Sequence, residues 1–192
     1  MSIPTIIRLL DGTRAYLHAV IDNFSRRILA WRLAERFEPA NAVAVLLEAG
    51  RAAGQEALPT VVADKGVENR NGDVDALIAS GLLRRVLAQT EIRQSNWMIE
   101  AWWRCLKHQW LYLNTLDGVA TLRRLVAFYV SEHNTRLPHS AFAGQTPDEM
   151  YSGTGADVPA QLDAARKAAR QRRLEENRAQ SCPACPSAGT AA

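Results

Sequence analysis

Three runs of β-branched and aromatic residues near the start of the chain constrain its fold more than any other feature. Residues 6–10 and 15–21 flank the dipeptide Asp11-Gly12, a strong signal for a hairpin with a two-residue turn. A third run, Ile28–Ala34, follows a polar turn. The pattern predicts an antiparallel meander of three strands at the beginning of a sheet.

The apolar spacing changes after this meander. From Pro39 onward, apolar residues recur at helical intervals, and Gly54 marks the end of the expected helix. Residues 60–63 predict a short buried strand, which lies parallel to a neighbour because a helix precedes it. A short helix capped by Asp73 and a last strand at residues 84–88 follow.

Helices dominate the second half of the sequence. One carries Glu100 and is expected to run to about Leu116, and another follows from Val119 to about His133. A short helix is predicted at residues 147–151. The order of elements predicts an α/β, ribonuclease H-like fold with a mixed five-stranded sheet and flanking helices. We expect a domain over residues 1–151 and a charged helical or disordered tail over residues 152–192.

Composition and charge narrow the function classes only slightly. The net charge is +3 and the pI about 9.0, which is compatible with nucleic-acid binding without establishing it. Three cysteines are too few for a disulfide framework, and no signal peptide opens the chain, so a cytoplasmic protein is expected. No apolar run reaches the length of a membrane span, so no membrane partner is expected.

Two acids stand at positions suited to chemistry. Asp64 directly follows the strand at residues 60–63, and Glu100 lies near the start of a helix, with thirty-five residues between them. Lys107 follows Glu100 by seven positions, about two helical turns, so both share one helix face. Two carboxylates and a cation suit metal-assisted phosphoryl chemistry on nucleic acid. The alternative makes Asp64 a turn former and Glu100 an ordinary acid in a first helical turn.

Four segments occur in an order typical of one family. They are AYLHAVIDNFSRRILAW, VVADKGVEN, SNWMIEAWWRCLKHQWL and EHNTRLPHSAFAGQTPDEMY, and they span roughly residues 5–151 together with the first strand. In these segments the chain resembles the integrase-type (DDE) transposases of bacterial insertion sequences, which are relatives of retroviral integrases.

The resemblance implies a catalytic core of two Asp and one Glu that binds two Mg²⁺ (or Mn²⁺) ions and transfers DNA strands. Matched by position, Asp64 is the second acid, Glu100 the third, and Lys107 the basic residue that contacts element-end DNA. It also implies DNA as partner, and homo-oligomers or association with intact transposase. Further basic residues are candidates for DNA contact, with a solvated helix face or a structural role as the alternative: Arg104, Arg123, Arg124 and Arg136.

The sequence departs from the family at the first acid. Thr5 matches the threonine of the family's Asp-x-Thr, which puts Ile3 where the first catalytic Asp belongs. We expect an N-terminally truncated copy that binds metal weakly and has little or no strand-transfer activity alone. The alternative is a non-catalytic remnant that binds DNA or oligomerises with intact transposase.

Asp22 is the nearest candidate for replacing the missing acid. With a two-residue turn at Asp11-Gly12, Ile3 pairs with Val20, and Asp22 lies on the same sheet face about 7 Å away. The family motif IDxFSRR instead makes Asp22 a residue of that motif. Trp102, Trp103 and Trp110 are expected in the core or at a subunit interface rather than stacked on bases; Glu68 and Asn69 are expected to shape their loop.

Overall fold

A computed structural model of the protein describes residues 4–52, 60–63, 72–79, 84–87 and 97–180. The predicted order of strands and helices is confirmed in these ranges. The elements are β1 Thr5–Arg8, β2 Arg14–Ile21, β3 Ile28–Ala34, α1 Pro39–Ala52, β4 Thr60–Ala63, α2 Gly72–Ala79, β5 Arg84–Leu87, α3 Trp97–Gln109, α4 Val119–Thr135, α5 Pro147–Ser152 and α6 Val158–Ala179, with single 3₁₀ turns at Leu111–Leu113 and Ser140–Phe142.

The hairpin between β1 and β2 has a three-residue loop. Leu9 N donates to Thr13 O at 2.9 Å, and Gly12 N donates to Leu9 O at 3.1 Å. Gly12 has φ +85°, the left-handed conformation that closes such loops and that glycine adopts without strain. The predicted two-residue turn is therefore wrong, because one more residue belongs to the loop.

This extra residue changes the register on which the Asp22 alternative depends. Thr5 pairs with Leu17 in the antiparallel ladder, one position away from the register that would pair Ile3 with Val20. A shift of one residue moves side chains to the other face of a sheet. Ile3 itself lies outside the described residues, so the shift is shown only for the register of Thr5–Arg8.

A second irregularity ends β2. The ladder with β3 runs antiparallel from Tyr16 to Val20 and shifts between Val20 and Ile21, which is a β-bulge. Bulges bend a strand and redirect the side chains that follow it. This one leads directly into the loop of residues 22–27.

Helices cover both faces of the meander. On one face, α1 packs on β2 and β3 in a cluster that includes Val20, Val45 and Leu46. The other face contacts α3 and α4, whose apolar positions recur at helical spacing. The larger cluster on that face contains Ile7, Leu9, Leu17, Ile28, Ile99, Trp102, Trp103, Leu106, Leu111, Leu122, Val126 and Val130.

The described residues contain five strands in two sheets. β1, β2 and β3 form one, and β4 and β5 form a parallel pair with Thr60 opposite Arg84. The parallel strand expected at residues 60–63 is present, and its Val61 packs on the cluster around α1. A single mixed five-stranded sheet is not observed in these ranges.

The helix that carries Glu100 ends earlier than the sequence suggests. α3 stops at Gln109, and Trp110 Nε1 donates to Leu125 O at 3.0 Å while Asn114 Nδ2 donates to Trp110 O at 2.8 Å. These side-chain bonds turn the chain toward α4. The prediction of a helix to about Leu116 is wrong. Apolar residues continue at helical spacing through residues 110–116, but the backbone leaves the α-helical conformation after Gln109.

α6 has 22 residues and buries none of them. Near its start, Leu162 lies against Gly144, where an added Cβ would stand 2.2 Å from Leu162 Cδ1. Gly144 has φ +97°, so both backbone and space favour glycine there. Among the helices of the described ranges, none is long and apolar enough to span a membrane.

Candidate active site

Glu100 lies in the first turn of α3 and is exposed. Ile99, Trp102, Trp103 and Leu106 face the core, so the helix presents Glu100 on its outer side. Its carboxylate makes no hydrogen bond or ion pair to the described part of the chain. With no partner among the described residues, this carboxylate is available to a ligand or metal ion.

Lys107 is half-buried on the same helix, two turns after Glu100. Burial lowers the pKa of its ammonium group. Arg104, one turn after Glu100, is exposed. Within the described ranges neither Lys107 nor Arg104 forms an ion pair. Both side chains are therefore available to bind a phosphate.

Asp64 lies outside the described residues, as do Glu68 and Asn69. β4 ends at Ala63, immediately before Asp64. The pairing of Asp64 with Glu100 therefore stays a prediction. Elsewhere in the described ranges, no group of three His, Cys, Asp or Glu side chains is placed to hold a metal ion.

The carboxylate and backbone of Asp22 form hydrogen bonds within the loop of residues 22–27. Its Oδ2 accepts hydrogen bonds from Ser25 N at 2.7 Å and Ser25 Oγ at 2.6 Å. Its backbone carbonyl accepts from Arg26 N at 2.8 Å, and its N–H donates to Arg27 O at 2.8 Å. This is the pattern of an aspartate that shapes a turn rather than one held free for metal.

The loop of residues 22–27 is tied to the end of α4 and to α5. His133 Nε2 donates to Arg26 O at 2.9 Å, and Arg27 forms an ion pair with Asp148 and lies over the Tyr151 ring. Burial is the main cause of a lowered His133 pKa, which the bond to Arg26 partly offsets. The IDxFSRR segment and the segment after α4 thus form one unit in space.

Asn134 strengthens that unit. Its side-chain amide donates to Ile28 O at 3.0 Å and accepts from Ile28 N at 2.9 Å, and the residue is buried. One amide therefore satisfies both backbone groups where β3 begins.

A cavity of about 460 Å³ opens between this loop, the start of α3 and the end of α4. Its wall is mostly apolar, with Ile21, Met98 and Trp102 among the lining residues. Five Arg, Glu and His side chains also line it: Arg26, Glu100, Arg104, His133 and His139. Glu100 therefore faces a defined space rather than open solvent alone.

Sequence reasoning missed Arg26 and Trp97, both of which line this cavity. Arg26 has φ +65°, an uncommon backbone conformation for a residue with a side chain. Its position in the polar turn SRR was visible in the sequence. The direction of its side chain depends on that φ value and on the preceding bulge, which the sequence pattern did not reveal.

The predicted arginines differ in their position relative to the cavity. Arg123 and Arg124 are exposed near the start of α4, ten and nine residues before the cavity residue His133, about 15 Å along a helix. Arg124 Nη2 donates to Thr121 Oγ1 at 3.3 Å. Arg136 is exposed and forms an ion pair with Glu132 at 3.7 Å. Of the predicted arginines, only Arg104 lines the cavity.

The tryptophans behave as predicted for core residues. Trp102 and Trp103 are 5% and 6% exposed, and their rings are 4.7 Å apart. Trp110 is partly buried and stacks on Phe128 with ring centroids at 5.1 Å. Core packing of all three is therefore confirmed.

Comparison with known proteins adds an independent line of argument. No protein-family model matches the chain. It is 22% identical over 145 residues to the putative transposase InsK for insertion sequence element IS150 of Escherichia coli (strain K12), an alignment that covers 76% of this chain and 51% of that protein. The chain thus spans about half the length of this curated relative.

Solved structures give the same fold. The simian T-cell lymphotropic virus intasome in complex with PP2A regulatory subunit B56 gamma matches with TM-score 0.67 and 17% identity, covering 78% of this chain and 52% of that one. The HTLV-2 integrase catalytic core domain in complex with magnesium matches with TM-score 0.62 and 14% identity, covering 78% and 93%. The resemblance to integrase-type transposases is confirmed, as is the ribonuclease H-like α/β fold.

Proposed function

We propose that this chain is the catalytic-core part of a transposase that acts on DNA by integrase-type, metal-dependent strand transfer. The observation that carries the proposal is the free carboxylate of Glu100, presented at the first turn of α3 in an integrase-core fold and facing a cavity. The order and spacing of the four sequence segments support the same assignment. DNA in the bacterial cytoplasm is the proposed partner, and self-association is proposed because the HTLV-2 core is known in a trimeric form.

Asp64 and Glu100 are the proposed metal ligands. Carboxylate oxygens are the ligands that Mg²⁺ and Mn²⁺ prefer, and Glu100 has no competing partner in the described ranges. When bound, the ions supply activation of the attacking oxygen and stabilisation of the leaving oxygen. Arg104 and Lys107, which form no ion pair within the described ranges, are proposed to hold DNA phosphates beside Glu100. Arg123, Arg124 and Arg136 are proposed to contact DNA away from the cavity.

Catalysis by this chain alone is proposed to be impaired. Ile3 stands at the position of the first acid, and an alkyl side chain cannot bind a metal ion. Asp22 is not a substitute, because Ser25 holds its carboxylate with two hydrogen bonds. Metal binding should accordingly be weak.

We also propose that β4 and β5 join an edge of the meander as one mixed five-stranded sheet. Val61 of β4 and Ile78 of α2 pack on the same α1 cluster as Val20 of β2, which supports a shared layer. α6 would then belong to a separate tail, in keeping with its lack of buried residues.

A gain-of-function variant tests the proposal directly. Ile3→Asp restores a carboxylate at the family position and should produce Mn²⁺-dependent nicking of supercoiled plasmid that the native chain lacks. Adding Glu100→Gln to Ile3→Asp should abolish the new activity. Calorimetry with Mn²⁺ should show tighter uptake by Ile3→Asp than by the native chain.

Two outcomes would contradict this function. Nicking by Ile3→Asp that survives Glu100→Gln would mean that Glu100 is not a catalytic acid. DNA binding without metal uptake in either the native chain or Ile3→Asp would instead favour a non-catalytic, DNA-binding remnant.

A further inference from the structure

Two consecutive arginines in the loop of residues 22–27 have opposite surroundings. Arg27 is paired with Asp148 and lies over the Tyr151 ring. Arg26 Nη1 is buried and has no hydrogen-bond partner in the described part of the protein. A buried charged donor without a hydrogen bond is energetically costly, and Arg26 also lines the adjoining cavity.

The backbone holds Arg26 in this position. Its φ of +65° is fixed by the bond from Arg26 N to Asp22 O and by the bond from His133 Nε2 to Arg26 O. Strained residues that the surrounding structure holds in place occur often at binding sites. The geometry therefore directs the guanidinium toward the cavity it lines.

The charge of the cavity favours an anion beside Glu100. Arg26 and Arg104 are permanent cations, and Glu100 is the only carboxylate among the cavity-lining residues that the structure describes. A planar guanidinium can donate two parallel hydrogen bonds to a phosphate. A DNA phosphate next to Glu100 is therefore the ligand that the proposed function would supply.

The rest of the wall suits a base. Trp97 is 55% exposed at the rim, and Met98, Ala101 and Trp102 extend the apolar surface inward. Aromatic side chains stack on bases that are not paired in a duplex. The volume of about 460 Å³ lies within the range of small-ligand sites.

We propose that this cavity holds one unpaired nucleotide of a DNA strand, with its phosphate on Arg26 and its base against Trp97. The proposal rests on the DNA-directed function above and assigns a strand-separated segment next to Glu100. Lys107 and Arg104 would then contact the phosphates on either side of this nucleotide.

Fluorescence anisotropy with labelled oligothymidylate and a blunt duplex tests the proposal on the full chain. Arg26→Asn removes the guanidinium while keeping a residue that tolerates positive φ. It should weaken single-strand binding about tenfold and reduce the log–log salt slope by about 0.7. Arg26→Lys should recover part of the affinity, and Trp97→Ala should weaken single-strand binding about fivefold or more.

The matched control is Arg166→Gln, which removes one exposed positive charge from α6. It should change single-strand binding less than twofold, and every variant should change duplex binding less than twofold. If Arg26→Asn and Trp97→Ala both bind like Arg166→Gln, or lose duplex and single-strand affinity equally, the nucleotide site is wrong. If the native chain binds neither DNA, the proposed function itself fails, so the two failures are distinct.

Discussion

The two ends of the α3–α4 pair satisfy their polar groups differently. At one end, Trp110 Nε1 donates to Leu125 O and Asn114 holds the Trp110 carbonyl. At the other, near Glu100, the indole nitrogens of Trp102 and Trp103 are buried without a partner in the described ranges. Both ends are aromatic, so the difference lies in hydrogen bonding rather than in apolar packing.

This contrast separates stability from binding within one helix pair. Each buried donor without a hydrogen-bond partner costs about 1–3 kcal/mol of folding stability. The Glu100 end is therefore less stabilising than the Trp110 end. The Glu100 end also contains the cavity, the Glu100 carboxylate, which has no partner in the described ranges, and the Arg26 Nη1 atom, which has none there either. We infer that the Trp110 end fixes the helices and that the Glu100 end is kept available for a ligand.

The largest expected effect is on activity at the Glu100 end. In the Ile3→Asp background, Glu100→Gln should reduce plasmid nicking by roughly 10³-fold or more, because a metal-ligating charge is lost. Stability should change by less than about 1 kcal/mol, since only the favourable position near the helix start is affected. Nicking rates and urea unfolding measure the two quantities. A large loss of stability would show that Glu100 has a structural partner and would break the contrast.

The next effect concerns a buried polar group away from both ends. His18 on β2 is fully buried with neither ring nitrogen partnered in the described ranges, and burial, helped by nearby Arg32, lowers its pKa to about 4. Because this lies below the usual 6.5, the unfolded chain binds the extra proton between pH 6.5 and 4, and stability falls as pH is lowered through that window.

The loss attributable to His18 should reach roughly 3 kcal/mol. His18→Leu should remove that part of the pH dependence while leaving the contribution of His133. Urea unfolding from pH 7 to pH 4 on both proteins measures it. Parallel stability curves would show that His18 is not buried in its neutral form.

The smallest effect is at the Trp110 end. Trp110→Phe removes the bond to Leu125 O but keeps an aromatic ring against Phe128, and should destabilise the fold by about 1 kcal/mol. Affinity for oligothymidylate should not change. Thermal unfolding and anisotropy on one preparation provide the measurement. Weaker DNA binding would mean that this end also contacts DNA, and the division would no longer hold.

Local pattern predicted most of the strands and helices, but not the contacts that decide their ends. Asp11-Gly12 fits both two-residue and three-residue loops, since each can place a glycine at positive φ, and so the register was missed by one position. The end of α3 depends on Trp110 meeting Leu125, fifteen residues later in the chain. Neither outcome is encoded in local periodicity.

The candidate site was predictable only in part, and for a related reason. The helical spacing predicted that Glu100 and Lys107 lie on one helix, and both lie on α3. Arg26 becomes a cavity residue through a bulge, a positive φ and a bond from His133, three features that arise from packing. The proposed role of Asp64 remains a prediction from the resemblance and the strand that precedes it.

The contact between Gly144 and Leu162 is a point about which α6 can rotate, because this helix buries none of its residues. A 22-residue helix is about 33 Å long, and the Leu162 contact lies within its first turns. The far end of the helix lies 17 residues (179 − 162), about 26 Å, from Leu162, so a rotation of about 10° there would move it by roughly 4 Å. Small movements beside Gly144 would therefore displace the arginine-rich C-terminal end of α6 much more than the residues near Leu162.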